Sequence, residues 1–371
     1  MLELCRVVRA YPGTTLEIVP PPGRFSDAHV ELMTSMSLAA DRPLNWNLIN
    51  VATAIADDIG QRLGASDAAA AAGACVIGLV LPGTSAMRLN FTSGFLIDAL
   101  PVFGQLFELP VAERVRVLAS PEARALLRRA EHTPEGAALY YLVDWGGLTI
   151  GETVAPSNAG LAGRTIAEVA AARGVDPFDA LCDVVVADEL GTVLLTPVRG
   201  DDAPSWTLRQ RVVRDARTIP GGSDSGAHLD MLDTFTMATR LLGEVVRDRG
   251  LFTLAEAVQL MTAAPAGLYG IRGRGHLTAG AHADLFVFDP DRIGSGPVHT
   301  RRDLPAGASR LYADATGVHS VVVNGTEVVH GSELTGALPG TVLRSGRDTT
   351  TVTAAEALRG DWRRSAHPAA R

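Results

Sequence analysis

The chain has 371 residues, of which 47% are hydrophobic and 20% charged, with 33 basic residues against 41 acidic ones and a net charge of −8. Such a sequence buries a sizeable core and is not a disordered segment, and its acidic balance argues against nucleic acid or an anionic membrane as partner. All 33 basic residues are arginine, which removes Schiff-base lysines, P-loop lysines and carbamylated-lysine metal bridges together.

The first ten residues carry Glu3 and Arg6 and lack the apolar centre of a secretory signal. Residues 14–20 read as a strand, after which Ser26 and Asp27 cap a helix with Val30, Met33 and Met36 on its apolar side. Residues 43–50 are a second strand, followed by an alanine-rich helix over about 54–72. Residues 75–82 form a third strand, with the unbroken apolar character of one buried on both faces. The most apolar stretch, residues 68–81, falls short of the roughly 20 residues a spanning helix needs, so a soluble, cytoplasmic chain is expected. Cys5, Cys75 and Cys182 are too few and too scattered for a disulfide framework or a zinc ribbon.

Further on, Ser120-Pro121-Glu122 opens a helix, and residues 148–154 read as a fourth strand. Thr165 with Glu168 and Thr253 with Glu256 are capping boxes, and Asp176-Pro177 opens a helix running to about 188. Residues 218–224 are a fifth strand. Residues 233–250 read as a helix with Phe235, Ala238, Leu242 and Val245 on one stripe, stopping at Gly250. Strands alternating with helices predict a parallel sheet with crossover helices. After about residue 277 the texture turns to β, over 282–290 and 318–329, with Asn324-Gly325 as a hairpin signal. The expected organisation is an α/β unit over 1–277, a small β segment over 278–346 and a loosely held tail over 347–371 that includes Arg347, Arg359, Arg363 and Arg364.

Five ordered motifs carry a resemblance. They are Gly221-Gly-Ser-Asp-Ser-Gly-Ala-His-Leu229, residues 254–270, Gly273-Arg-Gly-His-Leu-Thr-Ala-Gly280 with residues 283–290, Val323-Asn-Gly325, and residues 336–344. Together they resemble the C-terminal two-thirds of the N-acyl-D-amino-acid deacylase (D-aminoacylase) branch of the amidohydrolase superfamily, densely over 218–344 and more loosely before about 200. The resemblance implies an α/β fold: an incomplete (β/α)8 TIM-type barrel of about five of eight strands, followed by a small β-sandwich portion. The five strands above would be barrel strands four to eight. The others would come from a missing N-terminal segment or from another chain, self-association included.

The resemblance also implies zinc or another divalent metal, which turns water into hydroxide and polarises the amide carbonyl. Its ligands would be a His-x-His and a cysteine on the first two strands, histidines on strands five and six, and an aspartate on strand eight. Leu44-Asn45-Trp46-Asn47-Leu48 and residues 78–82 hold no histidine, and asparagine offers only a neutral carbonyl oxygen. Asp224 is the surviving element, placed at the barrel mouth, where the family's aspartate touches the metal and shuttles the proton to the leaving amine. Alternatively, it caps a turn. His228 would orient the substrate or sit on a surface loop. The family's proline and carboxylate-gripping arginine correspond to Leu229 and Asp230, and an aspartate cannot hold a carboxylate by charge.

Asn45 and Trp46 are further candidates for substrate contact. Trp46, Trp145 and Trp206 either line an acyl pocket or belong to the core. His276, His282, His319 and His330 read as structural or exposed, and Ser225 lacks the G-x-S-x-G elbow of a serine hydrolase. The expected function is hydrolysis of a small linear amide of the N-acyl-amino-acid type. The alternatives are a non-catalytic scaffold that has lost its metal site and binds a ligand or partner, and a truncated product compatible with either.

Overall fold

In the computed structural model, the described residues are 1–21, 23–94, 96–131, 144–224 and 226–363. Four strands form one parallel sheet: β1 (Leu16–Ile18), β2 (Leu44–Ile49), β3 (Val76–Val80) and β7 (Thr218–Pro220), in the order β1-β2-β3-β7. Register is set by Leu16 opposite Leu44, Asn45 opposite Ile77 and Gly78 opposite Thr218. The crossovers are helices Asp27–Ala40 and Ala56–Ala71. The first is closed by a capping box in which the Ser26 side chain accepts from the His29 backbone N–H while His29 accepts in return.

All five residues of β3 are buried, because each face of the sheet is covered. On one face Leu44, Trp46, Val76 and Val80 pack with Met33, Met36, Leu63, Ala69, Val212 and Val213. On the other, Ile77, Leu79 and Ile219 pack with Ala264, Leu268, Ala354, Ala357 and Trp362.

Residues 354–363 are therefore not the loose tail read from the sequence. Helix Ala354–Leu358 is closed by a Thr353–Glu356 capping box, and Trp362 is seated in the core. The preceding segment is stitched down by Thr349 Oγ1 donating to Gly13 O at 2.8 Å and by Thr350 N–H donating to Gly270 O at 2.7 Å. Apolar residues spaced for one buried side decide this, and the surrounding arginines mask them in composition. Arg364 lies outside the described residues.

Residues 148–154 also differ from expectation. Strand β5 (Thr149–Glu152) pairs antiparallel with β6 (Val193–Leu195), which pairs antiparallel with β4 (Arg88–Leu89). The parallel sheet thus holds four of the five strands expected there. Only Ile150 of β5 is fully buried, the signature of a strand with one wet face rather than of a doubly covered one. Between β3 and β7 the chain leaves the sheet and builds a second core around Leu89, Phe91, Phe103, Trp145, Phe178 and Leu194.

The helix read over 233–250 changes pitch along its length. A 3-10 turn (Asp233–Thr236) is followed by an α turn (Met237–Arg240) and a π segment (Leu241–Asp248). Leu241, Leu242 and Val245 are buried while Ala238 is exposed, so no single 3.6-residue stripe describes it. Residues 285–334 include an antiparallel sheet of Leu285–Phe288, Val318–Val323, Thr326–His330 and Glu333–Leu334. Its hairpin turns at Asn324 (φ 48°) and Gly325 (φ 80°), both positive as a type I′ turn requires. Among the described residues no helix is long and apolar enough to cross a membrane.

Candidate functional site

The loop that leaves β7 carries the site. Gly222 has φ 90°, and a Cβ there would fall 2.5 Å from Leu48 Cδ1 and 3.5 Å from the Asn47 side-chain oxygen, so only glycine lets this turn close over the end of β2. Asp224 follows with φ 51°, a left-handed conformation that aspartate tolerates better than most residues and that concentrates at functional positions. The His228 N–H donates back to Asp224 O at 3.4 Å. His228 Nδ1 stands 2.9 Å from Asp224 Oδ2, with both side chains partly open to solvent.

The loop is pinned on three sides. Arg88 N–H donates to Met231 O at 2.7 Å, Leu311 N–H to Leu229 O at 2.7 Å and Thr234 Oγ1 to Ser223 O at 2.7 Å. An aspartate and an imidazole held in this way at the C-terminal end of a parallel strand form a pair suited to proton transfer.

The other candidates lie elsewhere. Asp230 is half-buried and, among the described residues, makes no ion pair. Asn45 is buried in mid-strand, donating from Nδ2 to the Tyr269 hydroxyl. Burial beside Asn45 and Glu17 pushes the Tyr269 phenol up to about 12, desolvation being the main cause. Trp46 points to the opposite face, fully buried against Phe25 (ring centroids 5.1 Å apart) and beneath the Arg62 guanidinium at 4.4 Å. Asn45 and Trp46, expected to contact substrate, both sit buried in mid-strand, short of the strand end. Trp145 and Trp206 are likewise core residues. Ser225 lies outside the described residues.

Near the end of β2 stand Leu48 and Asn47, which a Cβ on Gly222 would meet at 2.5 and 3.5 Å. The register of β2 on β3 shifts between Trp46 and Ile49, so strict period-2 alternation does not select Asn47 from the sequence. Asp233 was also missed. Its carboxylate is half-buried beside the same loop, accepting the Ala86 N–H at 3.2 Å with Arg240 Nη1 3.9 Å away, and desolvation holds its pKa above the usual aspartate value.

A catalytic zinc takes three protein ligands, usually histidine, cysteine or carboxylate. Among the described residues no group of three or more such side chains stands close enough to hold one. Asp224 and His228 are bonded to each other, and Asn45 and Asn47 offer amide oxygens at the β2 positions. The described residues do not by themselves fit the metal centre that the resemblance implies.

Comparison with known proteins agrees with the fold. The amidohydrolase family profile matches residues 2–329. D-aminoacylase of Alcaligenes xylosoxydans xylosoxydans is 34% identical over 187 residues, covering 49% of this chain and 34% of that protein. The crystal structure of a D-aminoacylase superposes with a TM-score of 0.53 at 23% identity, over 91% of this chain and 57% of the other. A second D-aminoacylase structure, from work on that enzyme's binuclear metal centre, gives a TM-score of 0.50 at 21% identity with the same coverage. The chain thus spans well under two-thirds of the length of these relatives. With a family match over most of its residues and D-aminoacylase as a relative in both sequence and fold, the chain belongs to the amidohydrolase family, in its D-aminoacylase-like branch.

Proposed function

We propose that the chain is part of a hydrolase that cleaves a small linear amide of the N-acyl-amino-acid type. The observation that carries this reading is the Asp224–His228 pair, held at 2.9 Å on the loop that leaves a parallel strand. In this reading Asp224 is the proton-transferring group and His228 orients its carboxylate. Asn47, packed at Gly222, faces the same opening and positions the scissile amide. With Asp230 at the carboxylate-gripping position, the substrate favoured is one whose carboxylate is masked or absent.

The four-stranded parallel sheet is, in the same reading, an arc of a (β/α)8 barrel, with residues 278–346 as a β segment appended to it. Strands lying outside these residues would complete the barrel, from further polypeptide or from a self-associated copy, and any divalent metal would draw most of its ligands from there. No catalytic step is therefore assigned to a metal in this chain.

The test is release of free amine from N-acetyl-D-methionine, N-acetyl-D-aspartate and the neutral N-acetyl-D-methionine amide by the native protein. Hydrolysis of the neutral amide in preference to the two acids is expected. No amine from any of the three would sink the reading. Asn45 and Asn47, standing where the family has imidazole, favour a second reading, a non-catalytic scaffold that binds such amides unchanged. Elemental analysis separates the two: stoichiometric bound metal accompanies the first, metal-free protein with intact amide binding the second.

A further inference from the structure

Two of the three bonds that pin the Asp224 loop flank Asp230. Leu311 N–H donates to Leu229 O and Arg88 N–H to Met231 O, each at 2.7 Å. The two donors belong to separate bodies. Arg88 lies in β4, while Leu311 stands opposite Thr300 in a two-stranded antiparallel ribbon of His299–Arg301 and Arg310–Tyr312. Anchors on separate bodies fix a loop only if the bodies are fixed to each other.

The Arg88 side chain makes that connection. It is 9% exposed, and its Nη1 donates to Glu152 Oε1 of β5 at 3.0 Å. Its Nη2 donates to the Val298 carbonyl, just before the ribbon. The same Glu152 oxygen accepts the Thr300 N–H at 3.0 Å and the Thr300 hydroxyl at 3.2 Å. Since β4 and β5 flank β6 in one small sheet, this ion pair ties both edges of that sheet to the ribbon. A buried ion pair seldom adds stability over apolar side chains of similar volume, but its bonds are directional and fix geometry. The donors that hold residues 229 and 231 are thereby set at one spacing.

From this arrangement we infer that Arg88 and Glu152 are positioning residues for the Asp224–His228 pair. Through Met231 on one side, and through Thr300, Leu311 and Leu229 on the other, their ion pair sets where His228 stands against Asp224. Neither residue is assigned contact with substrate. The consequence for amide hydrolysis rests on the proposed function, and the consequence for the His228 ring does not.

The His228 ring reports this geometry directly. A carboxylate only accepts, so a neutral His228 held 2.9 Å from Asp224 Oδ2 carries its proton on Nδ1, whereas a free imidazole prefers Nε2. Nitrogen-15 spectra of the full chain at about pH 8, above the ordinary histidine range, read the tautomer, and the His228→Gln variant assigns the signal among nine histidines. Arg88→Met combined with Glu152→Met replaces the pair by apolar side chains, a change that spares stability, and should move His228 toward the Nε2–H form. Glu152→Gln keeps an acceptor oxygen for Arg88 and Thr300 and should retain the Nδ1–H form. If the double variant does not fold, Arg88→Lys takes its place: a single ammonium lacks the fork that serves both Glu152 and Val298, and the ring should shift part of the way. On the best amide substrate the double variant should lose about 10- to 100-fold in kcat, with KM little changed. The inference is overturned if the wild-type ring is in the Nε2–H form, or if the folded double variant, or Arg88→Lys in its place, keeps the wild-type tautomer. Loss of the Nδ1–H form in Glu152→Gln as complete as in the double variant would overturn it too. Absence of amine release by the wild-type protein counts against the hydrolase reading alone, since the ring signal is read without substrate.

Discussion

Replacing Trp362 by alanine measures how firmly the C-terminal segment is seated on the parallel sheet. Trp362 is 8% exposed, packed with Ala264 and Leu268 against the face that carries Ile77, Leu79 and Ile219. Its Nε1 donates to Ala357 O at 2.9 Å. Gly267 allows this approach, since a Cβ there would meet Trp362 backbone and Cβ atoms at 3.1 Å. A buried tryptophan hides about 150–250 Å², or roughly 4–6 kcal/mol at ~25 cal/mol per Å². Ordering the ring and partial collapse of the hole bring the expected loss to about 3–5 kcal/mol. Phenylalanine keeps most of the ring but loses the Nε1 hydrogen bond, while the Ala357 carbonyl still accepts the Gly360 N–H at 3.0 Å, a loss of about 0.5–1.5 kcal/mol. Urea unfolding should rank wild type above Trp362→Phe and Trp362→Phe above Trp362→Ala, with the slope unchanged. A loss under about 1 kcal/mol for the alanine variant would refute the seating of residues 354–363.

Three other outcomes follow from burial and capping. The folded state keeps the Tyr269 proton up to about 12, against 10.0 for the ordinary phenol. Stability contributed by that proton is present below pH 10 and lost as pH rises toward 12; absorbance titration that ionises every tyrosine near pH 10 would contradict this. Burial holds the thiols of Cys75 and Cys182 at about 12, and Cys5 is also buried. An aromatic disulfide reagent at pH 8 should therefore react with none of the three cysteines until denaturant is added; prompt reaction of one would contradict its burial. Thr253→Ala removes the cap on the Glu256 N–H and should lower unfolding free energy by about 0.5–2 kcal/mol, which chemical denaturation can read; no loss would mean that helix is held by packing alone.

Much of the fold was legible because short-range physics decided it. The unbroken apolar run of β3, the Ser26, Thr165 and Thr253 caps and the Asn324-Gly325 turn each act within a few residues. The destination of residues 149–152 was not, because strand patterning says that a strand forms without saying which sheet receives it. Trp362 was misread for the complementary reason. Its partners Ala264 and Leu268 lie about a hundred positions away, and the local composition is arginine-rich. At the site, Asp224 and His228 could be found from their motif, and their four-residue spacing is realised as a bonded turn. Asn45 and Trp46 fall in mid-strand, and strand patterning does not say how far along the strand a residue must lie to reach its C-terminal end, where Asn47 and Leu48 stand. Asp233 carries no motif, since only the fold brings it to Ala86.

The measurement that bears most directly on Asp224 as the hydrolytic group is amine release by the Asp224→Asn variant beside the wild-type protein, on the best substrate of the amide panel. The account predicts kcat lower by about 10²- to 10⁴-fold, with KM little changed and with wild-type unfolding behaviour. A variant that releases amine at the wild-type rate would contradict it and remove Asp224 from the chemistry.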